Sequence, residues 1–373
     1  MGLYLGKDKI SALRTVEKTT ASMKAYLEAG GKCKDNDAVS FEGCWQDSDW
    51  ENVTDCTRMF YDCSKLTTIP AMDTSNVTNM ERMFGSCSKL TSVPEMNTSN
   101  VTSMRDMFYG CWSLTSIPML DTSKVTDMGN MFESCSHITS IPALNTSNVT
   151  DMGSMFYYCS SLTSIPALNT SKVTNMKGMF NYCSSLTSIP MLDTSKVTDM
   201  SNMFRICSSL TSIPALNTSN VTDMNTMFYS CYNLTSIPPM DTSKVTSMSY
   251  MFSSCSKLTS VPEMNTSNVK SMSSMFSGCY ELTSVPAFDT SNVTSMSYMF
   301  SSCGKLESIH MHGMKVSFDI SVSTRFTREA LVEILNNLAT VTTSPTLTMG
   351  STNLAKLTDA DKAIATGKGW KLA

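Results

Sequence analysis

Apolar positions recur along this chain with one fixed step. Phe60, Phe84, Phe108, Phe132, Phe156, Phe180, Phe204, Phe228, Phe252, Phe276 and Phe300 stand 24 residues apart, and a cysteine follows each by three, from Cys63 to Cys303. The unit reads V-T-x-M-x-x-M-F-x-x-C-x-x-[LI]-T-x-[IV]-P-x-[MLF]-[DN]-T-S-[NK], repeated eleven times without insertion or deletion. Self-similarity at such a period is the mark of stacked repeats. In the copy running from Val77 to Met96, Met80, Met83, Phe84 and Cys87 fall at i, i+3, i+4 and i+7, which predicts a short helix of about two turns. Leu90-Thr91-Ser92-Val93, rich in hydroxyls and closed by Pro94, predicts a short strand. Asn97-Thr98-Ser99-Asn100 predicts a turn whose side chains bond their own backbone.

One such coil has a single apolar edge and nothing of its own to bury it against. Stacking on its neighbours turns the edges into a continuous core. The expected fold is therefore an α/β repeat solenoid of eleven 24-residue coils, each of strand, turn and short helix, over residues 51–310. Residues 1–50 and 311–373 break the pattern and are expected to cap the ends. At the N-terminus Ser11 to Ala29 suits a helix, with Cys33, Cys44, Trp45 and Trp50 covering the first coil and Cys56 in the core. Beyond the repeats, Val316 to Ile320 reads as strand. Thr327 reads as the N-cap of a helix with Leu331, Ile334, Leu335 and Leu338 on its apolar face. Thr346 to Met349 reads as strand, Thr358-Asp359 as the start of another helix, and Trp370 as packing its end.

The repeat explains the unusual counts of 32 Met and 14 Cys: two Met and one Cys per coil serve as core filling. Disulfides between stacked coils are the alternative for the cysteines; eleven is an odd number of partners, and no secretory signal points to an oxidising compartment. Down the stack the turn position runs Asp73, Asn97, Asp121, Asn145, Asn169, Asp193, Asn217, Asp241, Asn265, Asp289, so no two Asp are adjacent. Interleaved Asn relieves repulsion in that column, and Lys124, Lys196 and Lys244 accompany an Asp in the same turn. Duplication of a 48-residue pair of coils would produce the same alternation.

The net charge of −4, spread along the chain, speaks against nucleic acid as a partner. No apolar run is long enough to span a bilayer. The chain reads as made in a cytoplasm, with virion association or another export route left open. The three histidines, His137, His310 and His312, have no singular nucleophile beside them in the pattern. No phosphate loop or zinc spacing occurs. No enzyme activity, cofactor or metal is expected. Variation concentrates in the two positions after each Phe, the two after each Cys and the two between the methionines. Ten of the 12 tyrosines lie there. Tyr109, Trp112, Tyr157, Tyr158, Tyr182, Tyr229, Tyr232 and Tyr280 are the candidate partner-binding residues, since aromatics give large contact area at low entropic cost. Simple cover for the coil surface is the competing reading. Rows such as Thr67, Thr91 and Thr115 suggest ice or mineral binding more weakly.

The string Met83-Phe84, followed by Cys87-Ser88-Lys89-Leu90-Thr91-Ser92-Val93-Pro94, resembles the BspA-like leucine-rich repeats. It is similar above all to the surface-protein repeat of about 25 residues known as a lipoprotein-associated domain of unknown function. The resemblance covers about residues 51–310. It implies a right-handed leucine-rich-repeat-like solenoid and a role in attachment or in binding a protein or cell-surface ligand, with no catalytic residues to carry over. Such proteins occur on host-associated bacteria and in phages, and Met1–Gly6 and the stretch from Leu354 to Trp370 resemble prophage-encoded members. A spacer whose length alone matters is the competing function. The caps offer a route to oligomers.

Overall fold

The computed structural model describes Trp50 and residues 52–373. The expected N-terminal helix from Ser11 to Ala29, with Cys33, Cys44 and Trp45, lies outside these residues. The chain forms two compact units that divide between Leu186 and Thr187.

In the first unit, successive coils are joined by parallel one-residue bridges, Asp55 to Asn79, Asn79 to Ser103, Ser103 to Asp127, Asp127 to Asp151 and Asp151 to Asn175. The partners are always 24 residues apart, so the sequence period is the stacking period. Val77, Met80, Met83, Phe84, Cys87 and Leu90 are all fully buried, as are their equivalents in the other coils. The phenylalanines from Phe60 to Phe180 form one column, with ring centroids 5.5 to 5.7 Å apart.

That spacing excludes the helix expected over Met80 to Cys87. Packed helices need about 8–10 Å between axes, well above the 5.5 to 5.7 Å between stacked rings. The segment instead runs as overlapping four-residue turns. Met83 N donates to Met80 O, Gly85 N to Arg82 O and Cys87 N to Phe84 O. The intervening amides of Met80, Arg82, Phe84 and Ser86 donate to Ser103, Arg105, Met107 and Tyr109 of the next coil. Half the amides thus close turns and half tie coils together, which a helix with all its amides bonded internally cannot do. The i, i+3, i+4, i+7 burial pattern is real, but the turns produce it. These turns place two rows of residues in the left-handed region. The rows are the second after the first Met (Arg82 at φ 55°, Asp106 at 55°, Asn130 at 55°) and the second after Phe (Asp62 at 66°, Ser86 at 64°, Gly110 at 69°, Ser134 at 63°). A positive φ at the third residue is what a type II turn demands.

The strand expected over Leu90–Val93 does not form in this unit. Isolated amide bonds join the coils there instead, Thr91 N donating to Thr67 O and Thr115 N to Thr91 O. The Asp/Asn column has a task beyond charge: Asp73, Asn97, Asp121 and Asn145 each accept a bond from the amide two residues on. After the bonds from Ser123, the charge of Lys124 helps hold the Asp121 carboxyl down, while the ammonium itself bonds the coil before. Lys124 Nζ donates to Asn100 Oδ1 of the preceding coil and Lys172 Nζ to Asn148 Oδ1. Thr74, Thr98, Thr122 and Thr146 bury their hydroxyls, each donating to a carbonyl of the next coil.

The second unit repeats this scheme, with bridges from Asp199 through Asp223, Ser247 and Ser271 to Ser295 and stacked rings from Phe204 to Phe276. At its far end the coils widen into regular structure. Strands β1 (Ser284–Val285) and β2 (Ser308–Ile309) pair in parallel. Then follow β3 (Phe318–Asp319), helix α1 (Arg328–Asn337), β4 (Thr346–Thr348), α2 (Gly350–Leu354), α3 (Asp359–Gly367) and β5 (Lys371–Leu372). Strands β3, β4 and β5 form a parallel sheet in that order. Thr327 caps α1 through Ala330 N, and Leu331, Ile334 and Leu335 are its buried face. Thr358 and Asp361 form a capping box on α3. Arg328 clamps the same Asp361 through two bonds of 2.8 and 2.7 Å, tying α1 to α3. Trp370 is buried against Phe318 and donates to Ala339 O. Helix α2 and strand β5 had no clear signal in the sequence, being five and two residues long.

Candidate binding surface

Amides bonded to the next coil hold the variable positions on a rigid frame. Tyr158 sits at φ 60° with its N–H on Asn181 O, and Tyr182 occupies the same left-handed row at φ 63°. With Tyr157 they form a cluster, the three ring centroids 6.4, 6.0 and 5.4 Å apart. Tyr158 is the exposed member.

Tyr109 and Trp112 stand apart from that cluster and wall a cavity of about 290 Å³, whose lining also includes Asp62, Ser64, Ser86, Ser88, Gly110 and Ser134. Trp112 is 57% exposed and Tyr109 37%. Tyr61, outside the candidate set, lies across Gly85: a Cβ there would sit 2.9 Å from its ring, so this glycine is what lets the ring lie flat. The Arg58 guanidinium covers that ring at 5.7 Å. In the second unit Tyr229 packs between the Arg205 guanidinium at 5.1 Å and Tyr250 at 6.4 Å. Tyr232 and Tyr280 are exposed without joining a group of this kind among the described residues. Tyr298, which is 73% exposed, and Tyr250 stand between the methionines of their coils and belong with the aromatic surface, beyond the candidate set.

A charged network flanks these aromatics in the first unit. Asp106 is buried and accepts from Arg82 Nε at 3.0 Å. Arg105 reaches Asp127 at 3.3 Å and Asp151 at 3.7 Å, so one guanidinium spans three coils. Burial, with the charge of Asp106 added, raises the Glu133 carboxyl to about 7. Burial and Glu133 in turn push the Tyr109 phenol upward. The five residues Arg82, Arg105, Asp106, Asp127 and Asp151, drawn from four repeats, look unremarkable in sequence. Their shared position in successive units was the signal.

The described cysteines are buried and unbridged. Cys87, Cys111, Cys135 and Cys159 each point Sγ at the carbonyl oxygen of the phenylalanine 27 residues earlier, 3.0 to 3.2 Å away. Burial lifts Cys231 and Cys303 to about 12, so thiolate chemistry at neutral pH is closed to them. His137 Nδ1 lies 2.6 Å from the Trp112 carbonyl, and His310 pairs with Glu333. Among the described residues no group of three or more His, Cys, Asp or Glu is arranged to hold a metal, and no helix is long and apolar enough to cross a membrane. Hydroxyls of the threonine rows donate inward to the coil before, as Thr91 and Thr115 do, rather than standing free for an ice lattice.

Repeats built this way match one family model, described as Mycoplasma protein of unknown function, DUF285, over residues 33–141, 111–214, 134–238, 164–259 and 231–330. The chain belongs to the DUF285 family. No curated protein matches the DUF285 chain in sequence. Among solved structures it is similar to a leucine rich cell surface protein from Faecalibacterium prausnitzii A2-165, at 21% identity over 71% of this chain and 84% of that one, with a TM-score of 0.39. A leucine-rich repeat protein from Bacteroides ovatus shares 21% identity over 81% and 77% of the two chains, TM-score 0.37. One from Eubacterium ventriosum shares 18% over 67% and 82%, TM-score 0.34.

Proposed function

We propose that this DUF285 chain is a non-enzymatic binding protein that presents its aromatic rows to a protein or cell-surface partner. The supporting observation is the Tyr157, Tyr158 and Tyr182 cluster. Its backbone is pinned by bonds between coils, so binding would order little that is not already ordered. Large aromatic side chains with a polar tip, placed on a preorganised frame, are the makings of a binding hot spot. Placement on a bacterial surface or a virion, and a right-handed coil, belong to the same proposal.

The test is capture from host-cell envelopes by the wild-type chain and by a Tyr157→Ser, Tyr158→Ser, Tyr182→Ser variant, with circular dichroism to show that both are folded. The variant is expected to lose the partner that the wild type retains. Equal capture by the two would overturn the proposed face. A spacer is the second reading, favoured by the uniformity of the bridges and buried threonine bonds in both units. Exchange of coil order distinguishes them: a spacer tolerates it and a binder does not.

A further inference from the structure

The cavity between Tyr109 and Trp112 has a composition of its own, and from it we propose a subsite for a neutral pyranose sugar. The proposal rests on the binding reading above and names the chemical class held at one place on that surface. The cavity exists because of a run of small residues. In the row two after Phe, three successive coils of the first unit carry Ser86, Gly110 and Ser134 where the next two carry Tyr158 and Tyr182. Gly110 lowers the floor further, since a Cβ there would already stand 3.4 Å from Ser86 Cα. The result is a notch of about 290 Å³ with aromatic walls, a hydroxyl floor and one carboxylate, Asp62, in its lining. That volume lies at the small end of ligand pockets, which run to about 300–1,000 Å³.

A pyranose needs these features together. Its C–H face covers an aromatic ring, and Trp112 is exposed enough to offer one. Its hydroxyls need acceptors and donors that are not already committed to holding the fold. Backbone groups of the floor are committed: Ser86 N donates to Tyr109 O and Gly110 N to Glu133 O. A peptide seeking main-chain partners therefore finds few here, while Asp62 and Ser134 bring a carboxylate and a hydroxyl to the lining. The charges select further. Arg82 is engaged with Asp106 and Arg58 with the Tyr61 ring, while Asp62 lies in the lining and Glu133 and Asp106 act on the Tyr109 wall, so the local sign is negative. Sugars bearing a carboxylate are disfavoured and neutral ones admitted.

Saturation-transfer NMR on the full chain tests this with the methyl glycosides of glucose, galactose, mannose and N-acetylglucosamine. Methyl glucuronide and N-acetylneuraminic acid serve as charged controls. At least one neutral glycoside is expected to bind saturably in the millimolar range and to shift the Trp112 indole resonance, while the charged sugars do not bind. Trp112→Ser removes a wall from the surface, and Ser86→Tyr fills the floor at a row where Tyr158 and Tyr182 show that tyrosine fits the backbone. Each is expected to weaken binding by about tenfold or more. Absence of any neutral-sugar binding, or binding unchanged in both variants, overturns the subsite. Envelope capture by the three-tyrosine variant is scored separately. Capture that depends on those tyrosines while no sugar binds rejects the subsite alone, and sugar binding with indifferent capture rejects the broader tyrosine face.

Discussion

Replacing serine by glycine along the left-handed rows should stabilise this protein, although the same change in a helix would weaken it. Ser86 and Ser134 in the first unit, and Ser254 and Ser302 in the second, hold φ of 64°, 63°, 64° and 65°. An L-residue there costs about 1–2 kcal/mol. Glycine removes that cost and gives back about 0.5–1 kcal/mol in the entropy of the unfolded chain. The expected net gain is about 0.5 kcal/mol per site. Ser86 and Ser134 lie two coils apart, roughly 10 Å at strand spacing, so four substitutions should add to about 2 kcal/mol. Had the segment been the helix that its periodicity suggests, glycine for serine would cost about 0.5 kcal/mol per site, and the fourfold variant would lose about 2 kcal/mol. The two structures differ in sign.

Urea unfolding followed by circular dichroism reads the difference. With a slope of about 3 kcal/mol per molar, the midpoint should rise by roughly 0.7 M. The reverse change supplies a control. Gly110→Ala and Gly278→Ala add a Cβ about 3.4 and 3.3 Å from the nearest Cα of the coil before, at φ of 69° and 76°. Each should cost about 1 kcal/mol from the dihedral alone. A fourfold glycine variant with a lowered midpoint, or alanine variants without loss, would falsify the turn assignment.

Two further outcomes follow from the buried groups. The Glu133 carboxyl holds its proton to about pH 7 in the folded protein against an ordinary 4.5, so folding takes up a proton between those values. Its contribution is present below about pH 4.5 and lost as the pH rises through 7. The full displacement corresponds to about 3 kcal/mol, and because the carboxyl is only partly buried, about 1 kcal/mol is expected. Between pH 5 and 8 the wild type should therefore lose about 1 kcal/mol more than Glu133→Gln in parallel urea titrations, and matching curves would refute the account. Of the 14 cysteines, the 12 described ones are buried. Iodoacetamide on the native protein should modify at most the remaining two, Cys33 and Cys44, with the rest reacting only in denaturant. Ready modification of Cys159 would show that the column opens.

Burial was legible in the sequence and conformation was not. Spacing by 24 placed Met83, Phe84 and Cys87 in the core correctly because burial depends only on which residues recur in register. The choice between helix and turns depends on the distance to the next coil, a tertiary quantity that a single copy of the unit does not contain. Gly110, Gly178 and Gly278 stand on the two left-handed rows with Asn130 and Asn202, residue types that tolerate positive φ best. Gly85, Gly129 and Gly153 stand on adjacent rows outside the left-handed region, so residue type alone did not single out the turn rows. The C-terminal helices were readable from Thr327 and Thr358 because their caps are local, formed within three residues. The aromatic positions stood out for the same reason, as departures from a repeat. Their grouping did not, since Tyr157 and Tyr182 meet only across coils. The cavity beside Trp112 was still less visible, because it is defined by absence of bulk at Ser86, Gly110 and Ser134. In a repeat protein the informative residue is as often the small one where neighbours are large, and the sugar titration examines one such gap.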